Sequence, residues 1–253
     1  MSFFNQERTL VVAHRGASAA APQNTVAAFT KAMELGADAI EFDVQLSADG
    51  VPVVIHDDTV DATTDGSGRV DAMTVDELKQ LDAGSSFDPA FAGEPIPTLD
   101  EVFDAVDESL LMNVELKTAA LFDNGLERAV ATRIERYGLS DRVLFSSFNP
   151  FSLRRIKKVA PHIPAALLYA DDQPIHLRNA WLAPIVAHEA RHPKYTMVDA
   201  DYMDWARRKG YRVNVWTVDE PEEMERLIDL GVDGIVTNVP DRLLKVLEQR
   251  GGA

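Results

Sequence analysis

The sequence predicts an α/β fold, a TIM (β/α)8 barrel with a small insertion after the hairpin that follows its second strand. Eight strand-like runs alternate with amphipathic helical stretches along the 253 residues. Most of these runs are continuously apolar, as in parallel strands that are covered on both faces. A doubly wound sheet is the competing architecture, but it more often carries a glycine-rich nucleotide loop, and the sequence has none. We therefore expect residues 1–253 to form one barrel domain.

The predicted strands are separated by helical patterns with clear start and stop signals. The strands cover residues 9–14, 38–46, 110–117, 142–148, 164–169, 195–198, 211–218 and 233–238. The first helical pattern opens after Asn24, a favourable N-cap residue, and closes at Gly36, a favourable C-cap residue. Alternation of this kind is typical of repeated β-α units.

One stretch departs from the alternation. Asp49-Gly50 separates two apolar runs, a pattern that predicts a hairpin with a two-residue turn. In that register Asp43 faces His56, which brings the histidine beside the carboxylates of the second strand. Residues 57–97 are then irregular and rich in Gly, Asp, Ser and Pro, and they are too long for an ordinary connection. We expect them to form a small inserted lid on the catalytic face of the barrel.

Composition and charge restrict the class of partner. Hydrophobic residues make up 46% of the chain and charged residues 26%, as in an ordinary globular domain. The 41 acidic and 25 basic residues give a formal charge of −16, which repels nucleic acids and anionic membranes. The absence of cysteine excludes disulfides and zinc–thiolate sites. We expect a small-molecule partner and no nucleic acid.

The sequence contains no recognisable targeting or membrane segment. Its first ten residues lack the basic and apolar regions of a signal peptide. No run approaches the roughly 18 apolar residues of a membrane span. We expect a cytoplasmic protein without stable membrane insertion, and the sequence does not indicate its oligomeric state.

Charged and imidazole side chains gather at the predicted carboxyl ends of the strands, where a barrel of this type carries its functional groups. They are His14 and Arg15 after strand 1, Glu41 and Asp43 in strand 2, His56 after the hairpin, and Glu115 and Lys117 in strand 3. Residues two apart in a strand point to the same side, so these groups converge on one mouth. The other histidines lack such partners and are expected to be structural or at the surface; they are His162, His176, His188 and His192.

This set of side chains fits a metal-assisted reaction at a phosphate. Three neighbouring carboxylates need a counter-charge, which a divalent cation supplies, and oxygen ligands favour Mg²⁺ or Ca²⁺ over zinc. Arg15 and Lys117 predict a clamp for an anion with tetrahedral oxygens. His14 and His56 can exchange protons with an attacking and a leaving oxygen. Together these groups predict phosphodiester cleavage.

Four segments resemble the signature segments of glycerophosphodiester phosphodiesterases. They are AHRGASAAAPQNTVAAF at 13–29, AIEFDVQLSADGVPVVIHDDTV at 39–60, NVELK at 113–117 and VNVWTVD at 213–219. The resemblance runs in order from about residue 9 to residue 240. It implies a TIM barrel with a small insertion. It also implies divalent-metal-dependent hydrolysis of glycerophosphodiesters, such as glycerophosphocholine or glycerophosphoethanolamine, to glycerol 3-phosphate and an alcohol.

The resemblance also implies an acid–base pair, a phosphate clamp, three metal ligands and an aromatic contact for the glycerol. These are, in that order, His14 and His56; Arg15 and Lys117; Glu41, Asp43 and Glu115; and Trp216 and Phe148. The implied cofactor is one divalent cation, Mg²⁺ or Ca²⁺. The chain departs from the family's Pro-Glu-Asn-Thr segment at Gln23, where a neutral amide replaces the usual carboxylate.

Two other functions remain open at the level of the sequence. Phospholipase-like cleavage of lysophospholipids in the same fold would need an apolar approach to the site, which Phe87 and Phe91 of the predicted lid could provide. A non-catalytic barrel that binds an anionic metabolite would need no acid–base pair. The sequence also leaves open the head group, the choice between the two cations, and which histidine is the acid. It does not distinguish direct attack by water from a cyclic phosphate intermediate.

Overall fold

Eight parallel strands close into a barrel, and one antiparallel strand is appended to the second of them. The computed structural model describes residues 3–4, 6–178 and 180–251 of the chain. Its strands are β1 (Leu10–His14), β2 (Ala39–Leu46), β3 (Pro52–Val54), β4 (Leu111–Leu116), β5 (Val143–Ser147), β6 (Ala165–Tyr169), β7 (Ala190–Pro193), β8 (Arg212–Val215) and β9 (Gly234–Thr237). The sheet runs β1-β9-β8-β7-β6-β5-β4-β2-β3, and a parallel β1–β2 pairing closes the ring. The predicted TIM barrel is confirmed.

Helices follow most of the barrel strands and cover the ring from outside. They are α1 (Val26–Glu34), α2 (Val75–Leu78), α3 (Leu99–Ala105), α4 (Leu126–Tyr137), α5 (Pro150–Val159), α6 (Ile175–Arg178), α7 (Ala200–Lys209), α8 (Pro221–Leu230) and α9 (Pro240–Gln249). Short 3-10 turns are Val70–Ala72, Pro89–Phe91, Ser140–Arg142, Ala183–Ile185 and Tyr195–Met197. Within the described residues, none of these helices combines the length and the apolarity that crossing a bilayer requires.

The side chains of each barrel strand alternate between the barrel interior and the helix layer. In β1, Val11 packs with the apolar residues beneath the helices, whereas Leu10 and Val12 pack in the interior. The next inward position is His14, at the carboxyl end of the strand. Ala39 in β2 and Leu111 in β4 also pack in the interior, below the polar positions of their strands. The interior therefore changes from apolar to polar along the barrel axis.

The sixth predicted strand is wrong. Residues 195–198 contain a 3-10 turn, and the barrel strand lies earlier, at β7. The sequence pattern did not predict β7 because the strand contains two buried polar residues, Arg191 and His192. The guanidinium of Arg191 lies 5.8 Å from the ring centroid of Tyr169 and 4.7 Å from that of Tyr211, in the outer layer. His192, the next residue, points into the barrel.

The predicted hairpin forms, but its register differs by one residue from the prediction. Val44 pairs with Val54, and the backbone N–H of Ile55 donates to the carbonyl of Asp43 at 3.0 Å. Asp43 therefore faces Ile55 rather than His56. The cause is a three-residue turn over residues 48–50, which ends in Gly50 with φ +77°. A left-handed residue at that position is common in three-residue hairpin turns.

Residues 57–97 pack against the hairpin as a small layer with its own apolar cluster. Val60, Val70 and Leu78 of this segment pack with Val53 and Ile55 beside them. A backbone hydrogen bond of 2.8 Å from residue 54 to residue 97 joins the end of the segment to β3. The segment is thus attached to the barrel immediately beside the backbone that carries residue 56.

Candidate active site

The carboxyl ends of β1, β2 and β4 bring the predicted site residues together. One cavity of about 60 Å³ is lined by His14, Arg15, Glu41, His56, Glu115, Lys117, Phe148 and Trp216. Asp43 joins this set through ion pairs with Arg15 and Lys117. All of the site residues that the sequence predicts therefore lie at one mouth of the barrel.

Sheet register holds the three carboxylates close to one another. Asp43 pairs with Glu115 across β2 and β4, and Glu41 lies two residues earlier on the same face of β2. One ligand oxygen from each of the three residues lies within 4.8 Å of the others. All three residues are buried. Among the described residues, no group donates a hydrogen bond to Oδ1 of Asp43.

Crowding of these buried carboxylates drives their pKa values apart. Burial raises the pKa of Glu41 well above its usual value, and the neighbouring Asp43 and Glu115 raise it further. Burial and Asp43 raise the pKa of Glu115 to about 7. Burial also acts on Asp43, but Lys117 and Arg15 outweigh it and hold its pKa below the usual value. Because a divalent cation relieves such repulsion, this all-oxygen donor set fits Mg²⁺ or Ca²⁺.

Arg15 is turned toward the carboxylates by a left-handed backbone, with φ +54°. Its N–H donates to Oε2 of Glu41 at 3.1 Å, and its Nε lies 3.4 Å from Oδ2 of Asp43. Its Nη1 donates to Oε1 of Gln23 at 2.6 Å. The neutral amide at position 23 therefore still holds the guanidinium in place.

Lys117 supplies the second positive charge of the site. Its Nζ lies 3.1 Å from Oε1 of Glu115 and 3.7 Å from Oδ1 of Asp43. Burial alone would lower the pKa of Lys117, but the two carboxylates outweigh it and raise the pKa above its usual value. The ammonium group is therefore charged at neutral pH. Together with Arg15 it gives two cations at the mouth, which suits an anion with several oxygens.

His14 ends β1, and the loop after β9 holds its ring. Nδ1 of His14 lies 2.7 Å from Oδ1 of Asn238. Burial and the nearby Arg15 lower the pKa of His14 to about 4. The imidazole is therefore neutral at pH 7, with Nε2 as the ring nitrogen that remains for a substrate.

His56 is presented by the backbone that follows β3. The side-chain amide of Gln45, a buried residue of β2, donates to the carbonyls of residues 55, 56 and 57 at 3.1, 3.0 and 2.8 Å. Nδ1 of His56 lies 2.6 Å from Oδ1 of Asp57. Burial lowers the pKa of His56. As in His14, Nδ1 is engaged by a neighbour and Nε2 remains for a substrate.

Asn24 was predicted to cap α1, but it contacts Asp43 instead. Its φ is +59°, its Nδ2 donates to Oδ2 of Asp43 at 2.9 Å, and its Oδ1 accepts from the N–H of Asp43 at 3.3 Å. The helix is capped by Thr25, whose Oγ1 accepts from the N–H of Ala28 at 3.2 Å. Asn and Thr both favour the N-cap position, so the sequence does not distinguish between them.

Sequence reasoning also missed the residues at the floor of the cavity. His192, expected to be structural or at the surface, lines the cavity together with Asn113 of β4. Burial lowers the pKa of His192 to about 3, and Nδ2 of Asn214 donates to its Nε2 at 3.1 Å. Oδ1 of Asn113 has no hydrogen-bond partner in the described part of the chain. Strand periodicity could have found Asn113, which lies two residues before Glu115 in β4, and it would have found His192 had β7 been placed correctly.

The remaining histidines do not line this cavity where their side chains are described. His162 is exposed. His188 stacks on Tyr211, with ring centroids 5.0 Å apart, and both are outside the cavity. The side chain of His176 lies outside the described part of the chain.

Phe148 and Trp216 form an aromatic wall of the cavity. Their rings meet edge to face with centroids 5.4 Å apart. Nε1 of Trp216 donates to the carbonyl of His192 at 2.8 Å, which fixes the indole. A second and larger cavity of about 470 Å³ opens beside this one, and Phe148 lines both.

The fold and the site together define a TIM-barrel hydrolase that acts on phosphoric diesters. The comparison with known families agrees with this class. A model described as "Glycerophosphoryl diester phosphodiesterase family" matches residues 14–242. The chain therefore belongs to the glycerophosphoryl diester phosphodiesterase family and is an enzyme.

Relatives and solved structures are similar to the chain over nearly its whole length. A glycerophosphodiester phosphodiesterase of Caldanaerobacter subterraneus subsp. tengcongensis is 46% identical and covers 96% of this chain and 100% of its own length. A glycerophosphodiester phosphodiesterase of Bacillus altitudinis is 38% identical over 95% of this chain and 99% of its own. An Oleispira antarctica phosphodiesterase, solved in complex with the product sn-glycerol-3-phosphate, has a TM-score of 0.87 and 30% identity. That comparison covers 98% of this chain and 100% of the Oleispira chain.

Proposed function

We propose that the protein is a metal-dependent phosphodiesterase that hydrolyses glycerophosphodiesters, such as glycerophosphocholine or glycerophosphoethanolamine, to glycerol 3-phosphate and an alcohol. The observation that carries this proposal is the gathering of three carboxylates, two cations and two histidines at one mouth. The printed names of the relatives and the product bound to the Oleispira enzyme support the substrate class. In the reaction, water adds across the bond between phosphorus and the leaving oxygen, so that phosphorus gains OH and the alcohol gains H.

Glu41, Asp43 and Glu115 are the residues that would hold one Mg²⁺ or Ca²⁺. The orphaned Oδ1 of Asp43 and the raised pKa of Glu115 both favour a cation among these carboxylates. When bound, the cation supplies positive charge that polarises a phosphate oxygen. The three carboxylates would hold the cation at a fixed point, because the pairing of β2 with β4 fixes their positions.

Arg15 and Lys117 bind the phosphate and offset the negative charge that grows on it during the reaction. Their ion pairs with Asp43 keep both side chains at the mouth. Trp216 and Phe148 line the same cavity and give the glycerol an apolar wall. Positioning of this kind lowers the entropic cost of bringing the diester to the reacting groups.

We assign the proton transfers to Nε2 of the two histidines. Both histidines line the smaller cavity and neither lines the larger one, but His56 lies two residues from Asp58, which does line the larger cavity. We take the larger cavity as the route of the leaving group, so His56 acts as the acid. It does so as an imidazolium, a form that the bond to Asp57 favours, and it gives its Nε2 proton to the leaving alkoxide and returns to the neutral ring. His14 accepts the proton of the nucleophile, which is water or a glycerol hydroxyl that forms a cyclic phosphate.

Two further expectations accompany this proposal. Residues 57–97, attached beside His56, act as a small lid over the leaving-group side of the site. A cytoplasmic location, which the cysteine-free sequence fits, stays a prediction.

The test is release of glycerol 3-phosphate from glycerophosphocholine and glycerophosphoethanolamine by metal-stripped protein, before and after Mg²⁺ or Ca²⁺ is added. We expect release only with the cation. His14→Ala and His56→Ala should each lower kcat on the order of 10²–10⁴-fold. His162→Ala, which removes an exposed histidine, is the matched control and should keep full activity.

The outcomes separate the three functions that the sequence left open. No release with either cation, across several head groups, would contradict the proposal. Turnover of micellar lysophospholipid alone would favour the lipid-cleaving alternative. Binding of glycerol 3-phosphate without any turnover would favour the non-catalytic alternative.

A further inference from the structure

The larger cavity is contiguous with the catalytic one. It has a volume of about 470 Å³ and shares Glu115, Lys117 and Phe148 with the smaller cavity. The smaller cavity, of about 60 Å³, is bounded by Leu168 and Val236 of the barrel interior. We place the reacting phosphate among the catalytic groups there, and the space is too small to hold both substituents on phosphorus. The second substituent on phosphorus must therefore extend into the larger cavity.

Apolar side chains form most of the larger cavity. The apolar residues that matter here are Ala119, Leu121, Phe148, Pro150, Phe151 and Leu182. They come from the loop after β4, the start of α5 and the loop after β6, which meet at the barrel mouth. A cavity of this size and character matches the usual range for sites that bury an apolar ligand.

Several large apolar side chains on the same loops are exposed at the rim of this cavity. Leu121, which lines it, is 66% exposed, and its neighbour Phe122 is 84% exposed. Trp181, next to the lining residue Leu182, is 60% exposed. Exposed apolar groups that adjoin a binding cavity commonly mark a contact surface for an apolar partner.

Polar recognition inside the larger cavity is sparse. Besides Glu115 and Lys117, which belong to the catalytic set, the charged residue that lines it is Asp58, and this residue is exposed. Three uncharged polar side chains also line it, but each is engaged by the backbone: Ser147 and Asn149 donate to carbonyls, and Thr118 accepts from an N–H. A compact cationic head group would leave most of the apolar wall uncovered. A flexible apolar chain would cover it and remove that surface from water.

We propose that the larger cavity is the subsite for the leaving alcohol and that it selects alcohols carrying an apolar chain. The inference rests on the proposed function and deepens it by naming the substrate class. Glycerophosphodiesters of alkyl or other chain-bearing alcohols are then better substrates than those of choline or ethanolamine. Burial of one methylene contributes about 0.8 kcal/mol, so each added carbon raises kcat/KM about fourfold until the cavity is filled.

The test compares glycerophosphodiesters of ethanol, butanol, hexanol and octanol with glycerophosphocholine, all kept monomeric and supplied with Mg²⁺. We expect kcat/KM to rise about tenfold or more from the ethyl to the butyl diester. We also expect the hexyl diester to exceed glycerophosphocholine. Equal values along the series, or a clear preference for choline, would overturn the proposal.

Two variants test whether the dependence of kcat/KM on chain length arises in the larger cavity. Leu121→Asp introduces a charge into the lining at an exposed position, and it should reduce the increase in kcat/KM per added carbon. Ile175→Asp is the matched control, because Ile175 is 61% exposed and does not line the cavity. This control should keep the wild-type increase. A flat chain-length series in both variants and in the wild type would show that the cavity does not select the alcohol.

A micellar lysophospholipid distinguishes an apolar chain in the cavity from contact with a lipid surface. A rising series with monomeric diesters supports the subsite, whether or not micelles are also cleaved. Turnover of micelles with a flat monomer series would overturn it and assign the exposed rim to surface contact. If none of the diesters is cleaved with either cation, the proposed function itself has failed, which is a different result from a flat series.

Discussion

Nδ1 of His14 donates a 2.7 Å hydrogen bond to the side-chain oxygen of Asn238, and this relationship sets the tautomer of the imidazole. The amide orientation follows from Asp219, because its Oδ2 accepts from Nδ2 of Asn238 at 2.6 Å and a carboxylate only accepts. Oδ1 of Asn238 must then face His14 and also accepts from Ser18 at 2.8 Å. The ring therefore carries its proton on Nδ1 and leaves Nε2 with a lone pair.

Asn238→Leu should remove the hydrogen bond that fixes the tautomer of His14, and it should lower kcat with little change in KM. We expect a loss on the order of 10–100-fold, because a base in the wrong tautomer or orientation transfers protons poorly. ¹⁵N NMR of His14 checks the cause directly, since the Nδ1–H tautomer should dominate in the wild type and lose its preference in the variant. Ser18→Ala, which removes only the second bond to the same oxygen, should change kcat by less than about threefold. An unchanged tautomer in Asn238→Leu would contradict the mechanism.

The proposed roles of the two histidines predict different responses to the leaving group. With a diester whose leaving group is p-nitrophenol, no acid is needed, so His56→Ala should lose less than about tenfold in kcat. With an alkyl diester the same variant should lose on the order of 10²–10⁴-fold. His14→Ala should lose a similar factor with both substrates. The opposite pattern would exchange the two roles.

Strand periodicity made most of the site predictable from the sequence. Residues two apart in a buried strand face the same side, so Glu41 with Asp43 and Glu115 with Lys117 could be placed at one mouth without a structure. The same rule fails where a strand is not recognised. The strand β7 has the sequence ARHP, whose polar residues do not give the pattern of a buried strand. His192 was therefore not predicted to lie in the barrel.

Contacts between distant segments could not be predicted from local pattern. Asn24 contacts Asp43 because its backbone takes a left-handed conformation, which neighbouring residues in the sequence do not reveal. Asn238 meets His14 only because the ring closes between β1 and β9. The hairpin register depended on whether the turn has two or three residues, a choice that Asp49-Gly50 does not settle. These details depend on tertiary packing rather than on periodicity.

Gly16, directly after the pair His14-Arg15, should tolerate no side chain. Its φ is +80°, and a Cβ would lie 2.6 Å from the carbonyl carbon of Ala28. Gly16→Ala should lower the free energy of unfolding by about 2–4 kcal/mol, from backbone strain and overpacking together. Gly50→Ala is the matched control, with φ +77° and no atom within 4 Å of the added Cβ. It should cost only about 1 kcal/mol in urea unfolding, and equal losses would contradict the packing argument.

His192 should make the protein less stable in acid. Burial lowers its pKa from the usual 6.5 to about 3, so the unfolded chain binds the proton more readily than the folded one. The stability contributed by the neutral imidazole is present above pH 6.5 and is lost as the pH falls toward 3. Between pH 7 and pH 4.5 this amounts to about 2–3 kcal/mol.

His192→Gln, which keeps an amide to pair with Asn214, should remove that part of the pH dependence. Urea unfolding of metal-free protein at pH 7 and pH 4.5 measures the difference for each variant. His162→Gln, at an exposed position, should behave as the wild type does. An equal loss of stability on acidification in His192→Gln and the wild type would contradict the assignment.

Binding of a divalent cation should release protons from the carboxylate cluster. Burial and Asp43 raise the pKa of Glu115 to about 7, so much of this carboxyl is protonated at pH 6 and must lose its proton to act as a ligand. Affinity should therefore rise with pH through 7, and calorimetry at pH 6 in buffers of different ionisation enthalpy should report release of roughly one proton or more. Glu115→Gln should weaken binding and reduce the release, whereas Asp201→Asn on the outer helix α7 should change neither. Binding at pH 6 with no proton released would show that Glu115 is already ionised in the metal-free protein.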